Sequence, residues 1–95
     1  MGIFGGPHKT IKKLDEALIS ARAAMSLMPT LPEANRQTTI ERILQQVTDC
    51  CRAASQAGYK AEANELLQRA VTNPPTAETP ELTWSGLVQI ARRAL

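Results

Sequence analysis

Aromatic side chains are nearly missing: Phe4, Tyr59 and Trp84 are the only three in 95 residues. Histidine occurs once, as His8, and the two cysteines, Cys50 and Cys51, stand side by side. Each shortage excludes a class of chemistry. One histidine with no cysteine near it cannot complete a zinc site. It also leaves Ser20, Ser26, Ser55 and Ser85 without a general base close by in sequence. Adjacent cysteines point about 100° apart on a helix and cannot readily bridge, so no disulfide framework is expected. They read instead as two small core residues. No Glu-x-x-His step offers ligands for a di-iron bundle, and no glycine-rich phosphate loop follows a strand. The expectation is a protein that is not an enzyme, with no catalytic residues, no metal and no cofactor.

An excess of one charge is lacking too. The formal net charge is +2, too small to argue for nucleic acid by itself and the wrong sign for a DNA mimic. The charges are unevenly placed, however. Lys9, Lys12, Lys13 and Arg22 lie early, Arg92 and Arg93 lie late, and residues 61–81 carry four glutamates against Arg69 alone. No apolar run approaches the ~18 residues of a membrane span, and no signal-peptide core is present. A soluble protein of a reducing, cytoplasmic compartment is expected.

Alanine and leucine fill the space that aromatics leave, and they favour packed helices over a sheet. Residues 1–8 read as a flexible, glycine-rich leader. Its Met1-Gly2 start opens an N-myristoylation pattern, but Gly6 stands where that pattern wants Ser or Thr. Ile3 and Phe4 are expected to dock on the domain or on a partner, with the domain ranked first.

Residues 9–95 read as a single helical domain. Apolar spacing and helix-end signals predict helices over about 9–27, 32–57, 60–72 and 80–95. In the first, Ile11, Leu14, Leu18, Ala21, Met25 and Met28 step by 3 and 4 along one face. In the second, Ile40, Ile43, Val47, Cys50, Ala54 and Ala57 do the same, with Leu44 and Cys51 widening the stripe. Thr30, Pro32 and Glu33 are expected to start this long helix as N-cap, first-turn proline and capping-box partner. Gly58 is expected to stop it. Ala63, Leu66 and Ala70 form the third seam. "NPPTAETP", residues 73–80, reads as a loop, with Thr79 capping the last helix and Pro80 at its first position. No segment alternates as a strand does. The fold expected is all-α, an up-and-down four-helix bundle with a long second helix.

Gly58, Ala63, Leu67, Ala70 and Pro75 resemble the second half of a tetratricopeptide unit. That motif sets a turn glycine, a small, a large and a small residue and a closing proline at these steps. Ala17, Ala21, Ala24 and Pro29 echo the pattern, with small Ala21 where a large residue belongs. The two copies lie 46 residues apart, against about 34 in the family, and Cys51 and Ala54 replace its glycine and tyrosine. The three-helix domains that bind ESCRT tails are similar at the same positions. Both resemblances imply a scaffold that holds other proteins. A DNA-reading helix-turn-helix fits less well. Asn64 falls where that motif needs an inward aliphatic, and Glu62 and Glu65 would face phosphates.

The function expected is protein–protein interaction, as an adaptor, chaperone-like holder or assembly subunit. A partner helix or tail would lie in an apolar groove beside the second helix, lined by Ile40, Leu44, Val47, Leu67, Val71 and Trp84. Trp84 has two readings, a binding hot spot or a residue that closes the core. A homodimeric regulator or inhibitor of a larger complex is one alternative. Nucleic-acid binding through Lys9, Lys12, Lys13, Arg92 and Arg93 is the other and ranks below a protein partner.

Overall fold

The computed structural model describes residues 8–95, so the leader residues 1–7 and the expectations placed on them lie outside the described residues. Four helices form: α1 (Lys9–Leu27), α2 (Glu33–Gln56), α3 (Lys60–Val71) and α4 (Trp84–Arg93). The described residues contain no strand beyond an isolated bridge between Thr79 and Leu82. The all-α expectation holds, and the helices pack as a small bundle.

Helix α1 buries the predicted seam, Ile11, Leu14, Leu18, Ala21, Met25 and Met28, with Ala17 added. His8 caps it, its ring nitrogen accepting from the Thr10 N–H at 3.2 Å. The helix ends at Leu27 in a 3-10 turn over Met28–Thr30, with Pro29 in its first positions. Here the predicted cap fails. The Thr30 hydroxyl turns back and donates to the Leu27 carbonyl at 2.6 Å. Extended Pro32 is the N-cap of α2 and makes no side-chain cap bond. The corner is held by Arg36, whose guanidinium donates to the carbonyls of Leu31 and Pro29.

Helix α2 buries Ile40, Ile43, Val47, Cys51 and Ala54. Cys51, expected to flank the seam, is its fully buried member, and Cys50 is half-buried against the core, because the fourth residue past Val47 lies about 40° off its direction and the third about 60°. Ala57, also predicted on the seam, is exposed. The helix stops in a Schellman turn: Tyr59 N–H bonds Ala54 O and Gly58 N–H bonds Ser55 O, with Gly58 at φ +91°.

Helix α3 buries Ala63 and Leu67, while Leu66 and Ala70 of the predicted seam are only half-buried, and it runs back along α1 and α2. The segment 72–83 then crosses the far end of α1. Arg22 donates to the carbonyls of Asn73 and Pro74, and the Thr76 N–H bonds the Ser26 hydroxyl. The Thr79 hydroxyl meets the Met28 sulfur at 3.6 Å, inside the core. Thr79 does not cap α4. It pairs with Leu82 across a turn holding Pro80, which buries Leu82, and α4 starts at Trp84 with Thr83 as N-cap. Glu78 also accepts from the Trp84 N–H. Helix α4 packs on α2 and α3 through Trp84, Leu87, Val88 and Ala91. The molecule measures 48 × 21 × 17 Å. Four helices share the cross-section at one end. At the other, the α1–α2 hairpin is covered by the segment 72–83.

Candidate interaction cleft

The groove predicted beside α2 is not where the described residues leave open apolar surface. Val47 and Leu67 are 0% exposed, Ile40 is 6% and Trp84 is 3%. Leu44 is half-buried against the core, and Val71 is exposed at the end of α3. Helix α4 packs on α2 and α3 and covers the stripe that the sequence leaves without a neighbour.

An apolar cleft lies instead between α1 and α3. Leu18, Leu66, Ala70 and Trp84 line it, and Ile19 stands beside them 63% exposed. Its volume is about 230 Å³. Of the six residues predicted to line a groove, Trp84 alone reaches it. Ile19 was legible in one respect: it is a large apolar residue off the α1 seam. Leu18 and Leu66 appear in the seams, but their approach across two helices is a tertiary event.

The rim carries mixed charge. Asp15 and Arg22 stand on the α1 side, Arg69 and Asn73 on the α3 side. Arg22 is held in place by its bonds to the Asn73 and Pro74 carbonyls. Arg69 reaches Glu65 at 3.7 Å, with both side chains about 70% exposed, so this pair is worth little in water. The cleft has no acid–base pair poised for catalysis. It offers apolar contact inside and direction from its rim.

A second cleft of about 480 Å³ opens between the start of α3 and the end of α4, lined by Lys60, Ala61, Asn64, Arg92 and Leu95. Arg92 is the one nucleic-acid candidate placed there, with Arg93 next to it in the chain. Lys9, Lys12 and Lys13 lie on α1 at the same end of the bundle. The His8 ring, which precedes them, stacks on Tyr59 before α3 with centroids 4.4 Å apart.

Neither cysteine is poised for reaction. Burial pushes the Cys51 thiol up to about 11, and its neighbour Cys50 adds to the rise. The Cys50 thiol is raised by burial and then by Asp49, while Lys13 works against them. Among the described residues no cluster of histidine, cysteine and carboxylate groups could hold a metal ion. No described helix is long and apolar enough to cross a membrane. Comparison of the chain with protein-family models, curated proteins and solved structures returns no match.

Proposed function

We propose that this protein is a small helical interaction module whose α1–α3 cleft receives an apolar side chain from a partner helix or tail. The observation that carries the reading is Ile19, a large apolar residue left 63% exposed beside a floor of buried Leu18 and Trp84. Affinity would come from removing Ile19 and Leu66 from water. Orientation would come from the rim, where Asp15 favours a cation on the partner and Arg22 and Arg69 favour an anion. The role is to bind, as adaptor, holder or assembly subunit, and includes no catalysis. A reducing, cytoplasmic setting belongs to the same reading.

The test is capture from a nuclease-treated lysate by wild-type protein and by Ile19→Asp in parallel. Ile19 is exposed, so the substitution is expected to leave the melting temperature unchanged. A protein held by the wild type and lost by Ile19→Asp supports the reading. Identical captures overturn it. Light scattering separates the homodimer alternative, because a concentration-independent mass of 10.3 kDa removes it.

A further inference from the structure

Basic residues far apart in the chain meet at one end of the bundle. Lys60 opens α3, and Arg92 lies in the last turn of α4, lining the same cleft. Arg93 follows Arg92, and the His8–Tyr59 stack brings Lys9, Lys12 and Lys13 to the same end. All six side chains are exposed, and none has a carboxylate within ion-pair distance among the described residues. The acidic residues nearest in the chain are Asp15, Glu16 and Glu62. Unpaired cations lining a concave site are unspent charge.

We propose that the α3–α4 cleft binds the phosphate backbone of single-stranded nucleic acid, with Lys60 and Arg92 as its principal contacts and Arg93 at its edge. The charge of the site selects this occupant, because its unpaired cations match a run of phosphates. Lys60 on α3 and Arg92 on α4 line one cleft, so an extended phosphate backbone lying along it can meet both cations. Ala61 and Leu95 give apolar surface for sugar or base, and Asn64 supplies a donor and an acceptor. Lys9, Lys12 and Lys13 project from α1, away from its seam. They add attraction that fades with salt rather than contacts inside the cleft. This site is separate from the α1–α3 cleft. At about 100° per residue, Lys60, Ala61 and Asn64 lie on one side of the Ala63–Leu67 seam, and Leu66, Arg69 and Ala70 on the other.

The test is fluorescence anisotropy of the full chain with a labelled mixed-sequence strand of about 20 nucleotides, as DNA and as RNA. Binding is expected at about 50 mM salt, with a log–log salt slope of about −2, as about three phosphate contacts on a single strand require. The double variant Lys60→Glu/Arg92→Glu should lose about tenfold or more in affinity with its melting temperature unchanged. Ile19→Asp should bind as the wild type does. No binding to either strand overturns the proposal, and so does a double variant that binds like the wild type. Binding to phosphatidylserine vesicles without binding to the strands overturns it as well.

Discussion

The indole N–H of Trp84 donates to the Ala70 carbonyl at 2.6 Å, tying the first residue of α4 to the last turn of α3. The same carbonyl accepts from the Asn73 N–H. Trp84 therefore fastens three things at once: the end of α3, the start of α4 and, through its ring, the floor of the α1–α3 cleft. At 3% exposure it closes the core, and only an edge of the ring is left for a ligand.

Removing that ring is expected to unfold the bundle early. Trp84→Ala should cost about 3–5 kcal/mol, the range for truncating a buried aromatic. In a domain this size that lowers the melting temperature by more than about 12 °C. Trp84→Phe keeps most of the ring and loses one hydrogen bond, for about 1 kcal/mol from that bond. Ala70 is not orphaned, because Asn73 still donates to it. Thermal circular dichroism of the two variants checks both numbers. A Trp84→Ala protein that melts like the wild type would show that the ring is not part of the core.

The α1 seam could be read residue by residue because a helix lying along a neighbour buries one narrow stripe, and the spacing shows it. Gly58 could be read because only glycine takes its φ without strain. The caps could not. Thr30 and Thr79 each sit near a proline and look like helix starts, but their backbones serve other ends. Thr30 closes the 3-10 turn, and Thr79 lets Leu82 turn into the core, which delays the start of α4 to Trp84 with Thr83 as its cap. The site misled for a related reason. A stripe such as Ile40, Val47 and Leu67 looks open until the neighbour that covers it is known. Ile19 carried the opposite signal, an apolar residue off the seam, and nothing local said that α3 would stop beside it.

Gly58 should tolerate substitution poorly, for a purely backbone reason. A Cβ built there meets no atom within 4 Å, so space is not the limit. Its φ of +91° is. Gly58→Ala is expected to cost about 1–2 kcal/mol, and Gly58→Asn less, because Asn tolerates the left-handed region better. Urea denaturation of both variants measures the difference. An alanine variant as stable as the wild type would mean that the α2–α3 turn relaxes freely.

The two thiols should react slowly and unequally. At about pH 8 a thiol raised to about 11 is almost wholly protonated, and the thiolate is the nucleophile. Cys51 is also fully buried, while Cys50 is half-exposed. Ellman's reagent is expected to modify Cys50 first and Cys51 only as the protein opens, with both reacting at once in guanidinium chloride. Cys50→Ala assigns the phases: it should remove the faster one. Two equal, rapid thiols in the native protein would show that the α2 seam opens at Cys51.

The Arg36–Glu81 pair, 3.4 Å apart, joins the α1–α2 corner to the turn before α4 and should make stability depend on acid. A hydrogen bond from its own backbone N–H holds the Glu81 carboxyl below its usual 4.5. Arg36 and the Thr79 hydroxyl act the same way, and partial desolvation opposes them. The unfolded chain therefore takes up this proton first. The stabilisation is present above 4.5 and is lost as pH falls through the lower folded value. Glu81→Gln should melt below the wild type at about pH 7, and the gap should close as pH falls toward about 3. Added salt should narrow the gap at neutral pH, because the pair is about one-third exposed. Arg36→Ala should melt lower than Glu81→Gln at every pH, since Arg36 also satisfies the Leu31 and Pro29 carbonyls. Paired melts of the three proteins across this range decide it. A wild-type advantage over Glu81→Gln that stays constant into acid would mean that packing of the turn, and not the carboxylate, holds this end together.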